Sequence, residues 1–299
     1  VGVKNITSLI TSGSQIIIDA IEGNVIVNPS KQEKISYRTK KENYERCQKQ
    51  LLENIQLPAI TKDGHSIKLM ANIEGDHNLK VVKEFGGEGI GLYRTEFIYI
   101  GRHNLPSEEN LFENFKKVVE ESKPKPVVVR TLDVGGDKVL DTLGIGNELN
   151  PALGLKGIRM SLHFPKVFKT QLRSILRASA YGNLQILYPM ISSAKEVHEA
   201  NQILEDIKLD LKEKSIEFNS DIKVGAMVET PASVICIEEI LNVVDFISVG
   251  TNDLIQYILA VDRTNEKVAY LYETFHPAII KTLKSILDAA NKANKKISI

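Results

Sequence analysis

Six short apolar runs in this chain each stop on a charged or amide residue. Val127-Val128-Val129 stops at Arg130, Gly89-Ile90-Gly91-Leu92-Tyr93 at Arg94, and Gly157-Ile158 at Arg159. Gly225-Ala226-Met227-Val228 stops at Glu229, Phe246-Ile247-Ser248-Val249-Gly250-Thr251 at Asn252-Asp253, and Met70-Ala71 at Asn72. Polar residues at the C-terminal ends of buried parallel strands are where α/β proteins carry their chemistry. Glu229 and Asp253 end successive runs and would be neighbours on such a rim. Two hard oxygen ligands suit Mg²⁺, which keeps several waters and completes its shell with substrate oxygens. A pair of rim carboxylates held in salt bridges fits the same residues.

The cations point the same way. Arg94, Arg130 and Arg159 close three of the runs, and Arg263 follows in Ala260-Val261-Asp262-Arg263. Guanidinium groups bind carboxylate and phosphate through two parallel hydrogen bonds and stay charged. A single strand-end arginine is commonly a structural ion pair. Several converging on one rim repel one another, which favours an anionic ligand bearing phosphate or carboxylate. Asn252 can donate to a phosphate oxygen. Glu96 and Asp133 are placed to orient the arginines. Gly135-Gly136-Asp137-Lys138 reads either as a turn over the rim or as a plain β-to-α turn. The six histidines are scattered outside this pattern, and Gly-x-Ser-x-Gly is absent.

The elements that must position these residues are legible from periodicity. Apolar runs rich in Val and Ile read as strands buried on both faces. They fall at 66–72, 89–94, 126–131, 156–161, 184–190, 222–229 and 245–251, and an eighth opens at Lys296-Ile297-Ser298-Ile299. Between them, apolar residues step by three and four. One face is Leu111, Phe115, Val118 and Val119; another is Phe168, Leu172, Ile175, Leu176 and Ser179. Two more are Val197, Ala200, Leu204, Ile207 and Leu211, and Ile279, Ile280, Leu283, Ile286, Leu287 and Ala290. Strands alternating with helices over about 240 residues predict a (β/α)8 TIM barrel. The chain closes on strand eight, so most of that strand and the last helix are expected to be missing. A doubly wound open sheet is the alternative, weakened because no Gly-x-Gly-x-x-Gly follows the first strand.

Before the barrel, two β runs flank Glu22-Gly23-Asn24 and read as a hairpin too small to fold alone. Residues 30–54 are mostly polar, with Ser30 and Glu33 at capping-box spacing, and predict a solvated helix. The expected division is 1–29, a remnant of a further domain; 30–57, a linker helix; and 58–299, the barrel.

Bulk properties narrow the class. The chain has 299 residues, with Lys+Arg and Asp+Glu balanced at 38 each. That balance argues against a general nucleic-acid binder. No run is long enough to span a bilayer, and no signal peptide is visible. The two cysteines, Cys47 and Cys236, lack metal-site spacing, so a reducing, cytoplasmic setting is expected.

These motifs resemble enzyme I of the bacterial phosphoenolpyruvate:sugar phosphotransferase system. The resemblance rests on Gly89 to Phe97, on Arg130-Thr131-Leu132-Asp133-Val134-Gly135-Gly136-Asp137-Lys138 and on Gly157-Ile158-Arg159. It extends through Gln171 to Ser179, Met227-Val228-Glu229-Thr230-Pro231-Ala232 and Gly250 to Tyr257. It covers essentially the whole chain. Pyruvate phosphate dikinase and phosphoenolpyruvate synthase share the barrel but do not usually carry the Arg130–Lys138 form.

The resemblance implies that Arg94, Arg130 and Arg263 hold the phosphate and carboxylate of phosphoenolpyruvate. It implies that Arg159 stabilises the transferring phosphoryl group, with Arg130 as the other catalytic cation. Glu229 and Asp253 would ligate Mg²⁺, and Asn252 and Asp253 would contact substrate. Phosphate would pass to a histidine on a swivelling domain, leaving pyruvate, and then to a small histidine phosphocarrier protein. The family pairs through this barrel, so a homodimer is implied. Its phosphohistidine motif and its strand-eight cysteine are not found here, and residues 1–29 look like the end of the swivelling domain. Binding of Mg²⁺ and phosphoenolpyruvate without turnover is therefore expected. The rival readings are a dikinase- or synthase-like barrel, a metal-dependent 2-keto-acid aldolase or lyase, and a non-catalytic dimerisation fragment.

Overall fold

The computed structural model describes residues 3, 5–55, 57–100, 104–134 and 148–299. The chain divides into two compact units, Val1–Ile67 and Lys68–Ile299.

In the first unit β1 (Ile16–Asp19) pairs antiparallel with β2 (Asn24–Val27), from Ile16 opposite Val27 to Asp19 opposite Asn24. The Asp19 carboxylate accepts from the N–H groups of Ile21 and Glu22, at 3.1 and 3.0 Å, which closes the turn. Helix Lys31–Glu53 begins at Ser30 with the expected capping box: Ser30 Oγ accepts from Glu33 N–H, and Glu33 returns a bond to Ser30 N–H. The helix buries none of its residues, as its polar composition requires.

The second unit holds a seven-stranded parallel sheet. Its strands are β3 (Ala71–Ile73), β4 (Ile90–Arg94), β5 (Val127–Arg130), β6 (Leu184–Tyr188), β7 (Lys223–Val228), β8 (Phe246–Val249) and β9 (Lys296–Ser298). Each strand pairs with the next in sequence, and the order never reverses. A doubly wound sheet reverses at its switch point, so that alternative fails. Parallel neighbours need crossover connections. Among them are the helices Glu108–Ser122, Pro165–Ser179 and Ala194–Glu213.

Strand periodicity divides the core in two. Val127, Val129, Ile186, Tyr188, Ala226, Val228 and Ile247 join the large cluster that also holds the buried helix faces. The alternate residues Val128, Leu187, Met227 and Phe246 form a separate small cluster, with Leu92 against it. Gly225 makes this inner layer possible, because a Cβ there would lie 2.4 Å from the Phe246 ring. Arg94, Arg130 and Glu229 each stand two residues beyond a member of that layer, at Leu92, Val128 and Met227. Their stop positions therefore continue the inner face at the C-terminal ends of the strands.

Four expectations change. Residues 156–161 are not a strand: Ile158–His163 is a helix, and Arg159 lies in its first turn. β5 already pairs directly with β6, from Val127 opposite Leu184 to Arg130 opposite Leu187, so no strand position exists between them. The buried side chains of Ile158, Met160 and Ser161 satisfy either period over so short a run. Of 66–72, only Ala71 and Asn72 lie in regular strand; Ser66 makes an isolated bridge with Ile60. Lys296–Ser298 is thus the seventh strand of the sheet among the described residues, not the eighth. The face of helix Pro277–Lys292 is also narrower than expected: Ile279, Ile286 and Ala290 are buried, whereas Ile280 and Leu287 are exposed.

Candidate active and metal site

The stop residues meet in a ladder of alternating charge. Glu74 Oε1 lies 3.1 Å from Arg94 Nη1, and Arg94 Nε lies 3.9 Å from Glu96 Oε2. Glu96 Oε1 accepts from Arg130 Nη2 at 3.1 Å, and Arg130 Nη1 lies 3.1 Å from Asp133 Oδ2. Lys156 Nζ is 4.0 Å from Asp133 Oδ1 and 3.5 Å from Asp253 Oδ2, and Arg263 Nη2 is 3.8 Å from Asp253 Oδ1. Carboxylates of the chain itself therefore separate the cations. The repulsion that sequence reading assigned to an anionic ligand is met within the protein.

The middle of the ladder is built to be rigid. Arg130 is buried and also approaches the inner layer at Met227 Sδ, 3.8 Å away. Glu96 Oε1 accepts a second hydrogen bond, from Asp133 N–H at 3.1 Å. Gln171 fixes the same turn from behind: its Oε1 accepts from Leu132 N–H at 3.0 Å, and its Nε2 donates to Thr95 Oγ1 at 3.1 Å. Thr95 Oγ1 in turn donates to the Arg130 carbonyl at 3.0 Å.

Ligand atoms of Asp133, Glu229 and Asp253 all lie within 4.8 Å of one another. Asp133 Oδ1 is buried and accepts no hydrogen bond. Met190 N–H donates to Glu229 Oε1 at 2.6 Å and fixes that carboxylate. Burial, then the charges of Asp133 and Asp253, push the Glu229 carboxyl up to about 8. Three crowded carboxylates, one with an oxygen that accepts no hydrogen bond and one reluctant to ionise alone, fit a hard divalent cation such as Mg²⁺. Burial raises Glu96 as well, outweighing the nearby Arg130. For Arg130 burial works against the charge, but Asp133, Glu96 and Glu229 raise its pKa above the usual arginine range.

Two glycines admit this crowding. A Cβ on Gly250 would lie 2.4 Å from Glu229 Oε2 and 2.8 Å from Glu229 Cβ. Gly157 has φ +59°, and a Cβ there would lie 2.7 Å from Met190 Cβ. Gly250→Ala is expected to cost about 1–3 kcal/mol through overpacking and to weaken divalent-cation binding by displacing Glu229. Thermal melts with and without Mg²⁺ check it; an unchanged response to Mg²⁺ would contradict this role.

Not every sequence candidate joins the ladder. Arg159 Nη1 donates to the carbonyls of Leu153 and Gly154, at 3.2 and 3.4 Å. Asn252 is exposed, and its carbonyl accepts from the Tyr272 hydroxyl at 3.1 Å. Asn252 and Asp253 lie in the first turn of helix Thr251–Leu259. Gly135-Gly136-Asp137-Lys138 lies outside the described residues. Sequence reading missed Lys156, whose only signal is its place before Gly157-Ile158-Arg159. It read Asp133 as an orienting residue and not as a ligand, because Asp133 lies three residues past Arg130 and outside the run-and-stop pattern.

The family model of the PEP-utilising enzyme, PEP-binding domain, matches residues 48–299. The chain belongs to that family. A phosphoenolpyruvate-protein phosphotransferase of Priestia megaterium is 44% identical over 299 residues, 100% of this chain and 52% of the relative. Proteins of the same name from Staphylococcus carnosus and Bacillus subtilis are 43% identical over 295 residues and 44% over 299, covering 99% and 100% of this chain. The chain spans about half the length of these curated relatives, 52% in each case. The resemblance seen in the motifs thus holds across the PEP-binding domain, which contains the whole charge ladder.

Proposed function

We propose that this chain is the phosphoenolpyruvate-binding part of a phosphoenolpyruvate-protein phosphotransferase, the enzyme that opens sugar uptake by the phosphotransferase system. The observation that carries this reading is buried Arg130, held between Glu96 and Asp133 beside a triad of carboxylates. Phosphoenolpyruvate bears a phosphate and a carboxylate on one small frame, so it needs several cations and a metal in fixed places. In this reading Arg94, Arg130 and Arg263 bind its two anionic groups, Asn252 donates to the phosphate and Arg159 meets the phosphoryl group in transfer. Glu229, Asp253 and Asp133 hold Mg²⁺. When bound, Mg²⁺ neutralises charge on the phosphoryl oxygens.

Phosphoryl transfer is largely positioning and charge neutralisation. The rigid Glu96–Arg130–Asp133 arrangement supplies the first, since its guanidinium does not reorganise when substrate arrives. The P–O bond to the enolate breaks, a bond from phosphorus to a protein histidine nitrogen forms, and protonation of the enolate gives pyruvate. The reading extends to a closed (β/α)8 barrel, a homodimer, a cytoplasmic setting and a small histidine phosphocarrier protein as the next acceptor. Residues 1–29 then belong to the swivelling domain, 30–57 to the linker and 58–299 to the barrel. Among the described residues no helix is long and apolar enough to cross a membrane.

Calorimetric titration in excess Mg²⁺ tests the reading. Phosphoenolpyruvate is expected to bind about tenfold or more tightly than pyruvate, the difference that one charge-assisted phosphate contact supplies. Equal affinities, or no heat at millimolar phosphoenolpyruvate, would overturn it.

A further inference from the structure

Lys156 is the one ladder member that bridges two of the three clustered carboxylates. Its ammonium lies 3.5 Å from Asp253 Oδ2 and 4.0 Å from Asp133 Oδ1, and its side chain is only 13% exposed. Those two residues and Glu229 form the oxygen cluster suited to a divalent cation. A lysine ammonium is a compact point charge on a flexible stem. A metal ion drawing Asp133 and Asp253 together must therefore meet the same oxygen atoms that this ammonium already neutralises. Arg130 and Arg263 differ, because each touches only one carboxylate of the triad. Arg130 is also tied to Glu96.

We propose that Lys156 is a tethered cation resident in the metal site, which neutralises Asp133 and Asp253 in the metal-free chain and competes with the divalent ion for them. Metal entry moves the ammonium off the two carboxylates, so Lys156 sets the affinity of the site for metal. The proposal rests on the metal site assigned under the proposed function, but not on the substrate assigned there. It gives the cluster two charge-balanced states, one with lysine seated and one with metal seated. A charge of this kind also keeps a cluster of one buried and two partly buried carboxylates compatible with folding before metal arrives.

The test is titration of the chain with Mn²⁺ alone, as a probe for the divalent site, in Lys156→Gln, Lys156→Met and Lys156→Arg. Both neutral variants are expected to bind Mn²⁺ about tenfold or more tightly than the parent chain, a difference within the usual range of coupling between two ligands. Their metal-free forms should melt lower, and Mn²⁺ should raise their melting temperatures more than it raises the parent's. Lys156→Arg should stay near the parent. Tighter binding in whichever neutral variant folds supports the proposal, including the case in which the parent binds no Mn²⁺ and the variant does. Unchanged or weaker Mn²⁺ affinity in the neutral variants overturns it. Failure of the parent chain to bind phosphoenolpyruvate, with this Mn²⁺ pattern intact, would overturn the proposed substrate and leave the role of Lys156 standing.

Discussion

Arg130→Met is expected to abolish phosphoenolpyruvate binding and to destabilise the chain by about 3–5 kcal/mol, the usual cost of breaking a buried ion pair from one side. Methionine matches the arginine stem and keeps contact with Met227, so the loss is mainly electrostatic. It leaves Glu96 Oε1 and Asp133 Oδ2 without the guanidinium that each meets at 3.1 Å. Asp133 Oδ1 and Glu96 Oε2 already lack hydrogen bonds, and the cations left beside them, Lys156 at 4.0 Å and Arg94 at 3.9 Å, stand beyond hydrogen-bond distance. Neutralising one of them should recover part of the stability. Arg130→Met with Glu96→Gln is expected to be more stable than Arg130→Met alone by about 1–2 kcal/mol, with no return of binding. Urea denaturation gives the first quantity and calorimetry the second. A single-variant loss below about 1 kcal/mol, the range of exposed pairs, would show that Arg130 is not the keystone of the ladder.

Much of this site was legible in the sequence for a simple reason. A buried parallel strand reads as a continuous apolar run, so its polar end stands out. Arg94, Arg130 and Glu229 were found because period-two geometry carries the inner layer of Leu92, Val128 and Met227 directly into them. The helix faces were legible for the corresponding reason at period 3.6, and Val197, Ala200, Leu204 and Leu211 are buried as expected. The residues between strands were less legible. Gly157-Ile158-Arg159 imitates a strand end, but β5 and β6 already pair with each other, and only tertiary pairing reveals that. Lys156 gave no signal because its importance comes from Asp133 and Asp253, which lie 23 and 97 positions away along the chain. The ion pairs that separate the arginines were hidden for the same reason. Convergence of cations is visible in a sequence, whereas the anions that neutralise them are known only once the strands are side by side.

The metal-free chain is expected to lose stability as pH rises from about 5 to 8, and Mg²⁺ is expected to reverse the loss. Glu229 carries the effect. Its carboxyl is pushed from 4.5 up to about 8, first by burial and then by Asp133 and Asp253, with Arg130 and the Met190 N–H opposing. Below the lower value the group is protonated in both the folded and the unfolded chain. Between the two values the unfolded chain ionises while the folded chain still holds the proton. The folded state then binds more protons, so stability is fully present on the acid side and falls as pH approaches the folded value. Glu96, raised by burial, adds in the same direction. The exposed carboxylates of Asp63 and Asp262 and the half-buried one of Asp210 have lowered values, so their contribution fades only on the acid side of this window. Lys156 is raised above 10.5, because the charges of Asp133 and Asp253 outweigh burial, and its contribution is lost only at higher pH. The total change is expected to be on the order of a few kcal/mol. Glu229→Gln cannot ionise, so it should flatten the slope, exceed the parent's metal-free stability near pH 8 and respond little to Mg²⁺. Denaturant titrations across this range, with chelator or with Mg²⁺, read all three effects. Parallel slopes for the parent and Glu229→Gln would mean that Glu229 is not the group that couples folding to protons, and would remove the electrostatic reason for placing a cation beside it.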